Sequence, residues 1–244
     1  MEESHSRILP QFEPNGECLS RSDDESAYAE IIVIRHGETE WNAAKRMQGH
    51  LDIELNDVGR KQAAAVAHRL SKGPKIAVVY SSDLKRALDT AETIASSCGG
   101  LQVIKDLDLR ERHLGDLQGL VYHEASKICP KAYGALSSHR TNQQIPGGGE
   151  SLDQLYDRCT SALERIGSKH IGERVVVVTH GGVIKSLFER ASPSGQAGRV
   201  LNTSVNIFHL SEGDIWTIKL WGDVSHLNQT EYLTSAFGGD GTSG

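Results

Sequence analysis

Two histidines, His36 and His180, each follow a run of branched apolar residues and each precede a glycine, in the strings Arg35-His36-Gly37 and Thr179-His180-Gly181. The runs 31–34 and 175–178 hold only isoleucine and valine, the composition of a strand buried on both faces of a parallel sheet. Both imidazoles should therefore stand at C-terminal ends of strands, the edge where open α/β sheets take their ligands. Two imidazoles, a guanidinium, and glycines that let backbone N–H groups come close suit a small dense anion, with phosphate the leading candidate. The alternative, a satisfied structural histidine at a strand end, fits one such pair better than two in the same setting.

A second arginine and a carboxylate come to the same edge. The run 76–80 reads as a second strand, and Ser81-Ser82-Asp83 after it as a capping signature for a helix with Arg86 near its first turn, closing at Gly99-Gly100. A strand-like stretch from Leu101 then leads to Asp108-Leu109-Arg110-Glu111. From spacing alone two alternatives stay open: Arg86 as a solvated helix position beside Lys85, and Glu111 as a surface ion pair with Arg110 or Arg112.

The elements that position these groups alternate between strand and helix. After the strand 31–35, a helix opens at the N-cap Asn56, lays Ala63, Val66, Ala67 and Leu70 on one face, and stops at Lys72-Gly73-Pro74. Ser151 and Gln154 form a capping box for a helix whose apolar face is Leu155, Cys159, Ala162, Leu163 and Ile166, and which feeds the strand 175–179. A helix over 183–190 follows, and the runs 205–210 and 215–220 alternate around Ser211-Glu212-Gly213-Asp214 as a hairpin. The expected fold is α/β: a three-layer αβα sandwich with a mostly parallel central sheet and an antiparallel edge.

The chain has 244 residues, enough for one domain, and its formal net charge of -6 gives no reason to expect nucleic acid or an anionic membrane surface as partner. No apolar run approaches the roughly 20 residues that span a bilayer, and no secretory or transit segment is evident, so a cytoplasmic protein is expected. Residues 1–29 set Glu2, Glu3, Glu13, Glu17, Asp23, Asp24 and Glu25 against Arg7 and Arg21 and read as a disordered acidic tail. The domain is expected over 30–234, with a flexible tail over 235–244. Cys18, Cys98, Cys129 and Cys159 are widely separated, with no C-x-x-C pair and no H-E-x-x-H helix, so neither a metal site nor any other cofactor is expected. The sequons at Asn202 and Asn228 are assigned no role.

The string from Arg35 to Asn42, Arg-His-Gly-Glu-Thr-Glu-Trp-Asn, resembles the signature of the histidine phosphatase superfamily, also called phosphoglycerate mutase-like. Its other landmarks follow in order: Ser81-Ser82-Asp83 with Arg86, Glu111-Arg112-His113-Leu114-Gly115, Pro146-Gly147-Gly148-Gly149-Glu150-Ser151, and Thr179-His180-Gly181. The resemblance implies that His36 is a nucleophile forming a phosphohistidine and that Glu111 is the acid. It also implies that Arg35, Asn42, Arg86 and a protonated His180 hold the phosphoryl oxygens. Gln48, Gly49 and Gly181 are placed with them at the substrate, and so is His113, whose alternative is a solvent-facing position beside Arg112. A cap insertion over about 116–148 would be small and partly helical.

Cofactor-dependent mutases of the family carry a tyrosine where this chain has Leu114. The stretch 42–49 and the late 222–226 look more like the small broad-specificity phosphatases. The function implied is metal-independent hydrolysis of a small phosphorylated metabolite, with a cofactor-dependent mutase, or an idle relative that binds a phosphorylated ligand or a partner protein, as the alternatives. Asp223 and His226 read as an aspartate-capped turn, Trp41, Trp216 and Trp221 as packing, and Tyr122 and Tyr133 as candidates for an aromatic wall. His50, His68, His123, His139, His170 and His209 have no supporting pattern.

Overall fold

Successive residues of a strand face opposite sides, and β1 (Tyr28–Arg35) uses that alternation to serve two cores. Ile31 and Val33 join one apolar cluster, Ile32 and Ile34 the other. The computed structural model describes residues 27–213 and 215–227. In it β4 (Arg174–Thr179) runs parallel to β1 on one side and to β2 (Val78–Ser81) on the other, and β3 (Val103–Lys105) extends the parallel part beyond β2. β5 (Val205–Ser211) is antiparallel to β1, and β6 (Ile215–Asp223) to β5, giving the order β3-β2-β4-β1-β5-β6. All four valines of 175–178 are fully buried; each contributes roughly 1.5–3 kcal/mol relative to exposure.

Two helices cover each face. α2 (Asp57–Ser71) and α3 (Lys85–Ser97) bury Val66, Leu70, Ala91 and Ile94 against Ile32, Ile34, Val176 and Val178. On the other face α6 (Leu152–Lys169) and α7 (Gly181–Ala191) bury Leu155, Leu163, Ile184 and Leu187 against Ile31, Val33, Val175 and Val177. Asn56 caps α2 through Gly59 N–H, and the Ser151–Gln154 capping box opens α6, as the sequence predicts. A third apolar cluster stands apart, where α4 (Tyr122–Ile128) and α5 (Pro130–Leu136) bring Ala125, Ala132 and Ala135 to Met47, Leu114, Leu117 and Ile145. Tyr122 and Tyr133 meet edge to face at 6.1 Å within it.

Several local expectations change. β1 starts at Tyr28, inside the segment read as tail, because Tyr28 stacks on His209 at 3.8 Å and Ala29 is fully buried. A one-turn helix, α1 (Glu40–Ala43), is capped by Thr39 and follows β1 in what reads as a polar loop. The second strand begins at Val78, not Ile76. Ser81-Ser82-Asp83 does not cap α3, whose N-cap is Leu84 with no side-chain cap bond; Ser82 and Asp83 spend their side chains on His180 and Arg110. Residues 1–26 of the tail expected over 1–29, and all of the tail expected over 235–244, lie outside the described residues. No described helix is long and apolar enough to cross a membrane.

Candidate active site

The register of β1 and β4 pairs Arg35 with Thr179 and carries both chains past the sheet edge together. His36 N–H donates to Thr179 O at 2.9 Å, and the His36 and His180 rings stand 5.1 Å apart. His36 Nδ1 lies 2.7 Å from Gly37 O. A carbonyl only accepts, so Nδ1 carries the proton and Nε2 keeps its lone pair. Burial, with the Arg86 and Arg35 guanidiniums beside it, holds His36 well below the usual imidazole range. The result is a neutral ring with an unprotonated nitrogen.

Around it the fold gathers donors. Thr39 caps α1 by accepting from Asn42 N–H, while Asn42 Oδ1 accepts from Thr39 N–H and Oγ1. That exchange ties down the amide oxygen of Asn42 and leaves its buried Nδ2 without a partner. Arg86 reaches from the first turn of α3 to donate from Nη1 to Leu51 O at 2.9 Å and from Nη2 to Gly49 O at 2.8 Å. Its Nε has no partner, and burial lowers its pKa to about 10, still charged at neutral pH. Arg35, fully buried, donates to Val200 O. Gln48 Oε1 lies 3.0 Å from Thr39 Oγ1, where it competes with Asn42 Oδ1 for that hydroxyl's one hydrogen, and Gly49 takes a φ of 52° that glycine tolerates.

His180 is the N-cap of α7, with Gly181 as the helix's first residue. Its Nε2 meets Ser82 Oγ at 2.9 Å, and that oxygen also accepts from Leu84 N–H. When Ser82 donates to Nε2, the ring hydrogen sits on Nδ1, which is buried without a partner among the described residues. Burial, Arg86 and His36 push His180 well below the ordinary imidazole pKa. That direction runs against the expectation of a protonated His180, because burial and the neighbouring guanidinium favour the neutral ring.

Glu111 is 1 % exposed and follows the 3-10 turn Leu107–Leu109. Its carboxyl oxygens accept from Arg112 N–H at 2.8 Å and Gly182 N–H at 3.1 Å. Burial raises its pKa, opposed by those two hydrogen bonds and by Arg86 and Arg35. His113 is half-buried: its Nδ1 accepts from Gly115 N–H, and its backbone N–H donates to Glu150.

Other residues near these groups carry no local signal in sequence. His50 donates from Nε2 to Glu111 O at 2.6 Å and touches the His113 ring edge on at 4.8 Å. Thr90 Oγ1 accepts from Gly37 N–H. Asn202, read as an idle sequon, donates from Nδ2 to His36 O at 2.9 Å, and Thr203 N–H donates to Arg35 O. Thr203 holds φ at 55°, a strained region for a β-branched residue. His226 Nε2 contacts Thr203 Oγ1, and Asp223 caps Ser225 N–H and pairs with Arg69 at 2.6 Å. The aspartate-capped turn is therefore structural, as expected, and it also backs the strand end that carries His36.

The profile of the histidine phosphatase superfamily (branch 1) matches residues 31–224. A phosphoglycerate mutase-like protein 4 of Arabidopsis thaliana is 68% identical over 227 residues, covering 92% of this chain and 99% of the relative. A metal-independent phosphoserine phosphatase of the same plant is 52% identical over 216 residues, 88% of this chain and 90% of its own. The solved structure of a mycobacterial glucosyl-3-phosphoglycerate phosphatase superposes with a TM-score of 0.70 at 32% identity, over 80% of this chain and 99% of that one.

Proposed function

The chain belongs to the histidine phosphatase superfamily, and on that footing we propose that it hydrolyses a small phosphate monoester of a hydroxy acid through a phosphohistidine on His36. In the first step His36 Nε2 attacks phosphorus, the ester P–O bond breaks, and the Glu111 carboxyl gives its proton to the departing oxygen. In the second step water attacks the phosphohistidine, its proton passes to the Glu111 carboxylate, and free phosphate leaves with His36 restored. Arg35, Asn42 Nδ2, Arg86 Nε and His180 Nδ1 hold the three non-bridging oxygens, where charge concentrates during phosphoryl transfer. Gln48, Gly49, Gly181 and His113 are placed at the substrate by the same reading.

The observation that carries this reading is the set of buried donors. Among the described residues, Asn42 Nδ2, Arg86 Nε and His180 Nδ1 are buried without partners, near an imidazole kept neutral. A buried donor left unpaired costs about 1–3 kcal/mol, so three in one place point to an anion that satisfies them together. The hydroxy-acid part rests on the relatives, since phosphoserine and glucosyl-3-phosphoglycerate both carry a carboxylate.

A mutase reading draws on the first relative's name. Against it, Leu114 is fully buried among Met47 and Leu117, and it offers no hydroxyl to a substrate. The test is phosphate release in EDTA by wild type and His36→Ala, across phosphoserine, phosphoglycerates, sugar phosphates and p-nitrophenyl phosphate, with isomerisation of 3-phosphoglycerate followed in parallel. Release that requires His36 and no metal is expected. Isomerisation without release would overturn hydrolysis in favour of the mutase.

A further inference from the structure

We propose that Arg158 is a positioning residue for the acid, holding the main chain of Glu111 so that its carboxyl meets the leaving oxygen. The inference rests on the reading of Glu111 given above. Arg158 lies on α6, on the helical stripe that carries Leu155 and Ala162, and its side chain is 18% exposed. A guanidinium has five N–H bonds, and all five of Arg158 are spent, on three carbonyls within 108–111 and on the two carboxylate oxygens of Glu150. Nη1 donates to Asp108 O at 2.8 Å and to Arg110 O at 2.7 Å. Nη2 donates to Glu111 O at 2.8 Å and to Glu150 Oε2 at 2.9 Å, and Nε donates to Glu150 Oε1 at 2.7 Å.

Glu150 completes the grip from the other side. Its Oε2 accepts from His113 N–H at 2.8 Å, so the ion pair spans carbonyls 108, 110 and 111 and the amide of 113. The Glu111 carboxyl itself is held by backbone amides, those of Arg112 and Gly182. Where the carboxyl sits thus depends on where the peptides on either side of it sit, and those are the peptides Arg158 and Glu150 fix. A buried ion pair is weak evidence for stability, since apolar residues of similar size often do as well. A planar fork that bonds three carbonyls and chelates a carboxylate is a device for geometry, and lysine, with one point of charge, cannot copy it. Misplacement of a reacting group by about 1 Å is enough to lose about a hundredfold in rate.

General acid help matters only when the leaving oxygen is a strong base, which gives a readout that simple destabilisation does not move. Purified wild type, Arg158→Lys, Glu150→Gln and Glu111→Gln are compared by kcat/KM on phosphoserine and on p-nitrophenyl phosphate, whose leaving group needs no proton. Glu111→Gln is expected to lose about 10²–10⁴-fold on phosphoserine and far less on the aryl ester. Arg158→Lys should show the same selectivity at roughly 10–100-fold, within about threefold of wild type on the aryl ester. Glu150→Gln should do so more weakly, and it carries the test if Arg158→Lys does not fold. Equal losses on both esters, or no loss on either, for the Arg158 and Glu150 variants would overturn the proposal. Glu111→Gln losing equally on both esters would overturn the acid role beneath it, a failure visible without the Arg158 data.

Discussion

Arg86 offers the sharpest separation of charge from geometry. The residue is 1 % exposed, with Nη1 and Nη2 bonded to the carbonyls of Leu51 and Gly49, and Nε is the donor that the proposed mechanism assigns to the phosphoryl group. Arg86→Lys keeps the charge but cannot bond two carbonyls and a phosphoryl oxygen at once. Losing one fixed donor to a developing charge in a buried site costs about 2.7–4 kcal/mol, or about 10²–10³ in kcat. The fold also loses something: lysine can still reach one of the two carbonyls, and the one left orphaned costs about 1–3 kcal/mol.

Arg86→Met removes the charge as well. After burial itself, Arg86 is the largest influence depressing His36, and it is the largest charge influence opposing the rise of Glu111. Without it both groups move to higher pKa. The rising limb of the kcat/KM profile, set by loss of the His36 proton, and the falling limb, set by loss of the Glu111 proton, should therefore both shift to higher pH. In Arg86→Lys the limbs stay in place while the height falls. The assay is initial phosphate release from one alkyl ester between pH 4 and 9, where ionisation of the substrate is common to all variants and cancels in the comparison. Limbs of Arg86→Met that coincide with wild type, or an Arg86→Lys within threefold of it, would refute the electrostatic argument or the fork argument respectively.

Ser82→Ala removes the group that fixes the His180 tautomer and the partner of Leu84 N–H; kcat should fall about tenfold while stability drops by about 1 kcal/mol, measured by kinetics and thermal melts. His226 has its pKa lowered to about 4 by burial and by Arg69, from an ordinary 6.5. The unfolded chain then binds the extra proton first, so stability is lost as pH falls from 6.5 toward 4. His226→Gln should lose about 1–2 kcal/mol less than wild type between pH 7 and pH 5, read from urea midpoints at the two pH values; identical pH slopes would refute it.

The parts of this molecule that local pattern dictates were legible in advance. Unbroken isoleucine and valine runs predict β1 and β4 as strands buried on both faces, and a serine three residues before a glutamine marks the start of α6. What escaped reading depends on partners distant in sequence. Ser82 looks like a cap until His180, 98 residues away, claims its hydroxyl. Asn202 looks like an idle sequon until pairing of β5 with β1 carries it to the carbonyl of His36, 166 residues away. Arg158 did leave a mark, as a charge three residues after Leu155 and four before Ala162 on a stripe otherwise apolar. A buried arginine on such a stripe must find acceptors, and only the folded chain shows that they are the carbonyls around Glu111.

The depth of burial explains how an imidazole and a carboxyl can divide the work of nucleophile and acid. With ordinary values of 6.5 and 4.5, the imidazole is protonated over most of the range in which the carboxyl keeps its proton. At pH 5.5 only about 1% of molecules would hold the needed pair, a neutral ring and a protonated acid. One physical cause moves both groups the right way, because burial disfavours charge whatever its sign: it lowers His36 and raises Glu111. Arg35 and Arg86 then act unequally, helping to keep the ring neutral while restraining the rise of the carboxyl. Every step of either shift toward the other increases the competent fraction, so a site sealed by two apolar cores and held by fixed donors gains protonation state and charge stabilisation from the same exclusion of water. An exposed version of the same residues, however well aligned, would have the right groups in the wrong ionic forms.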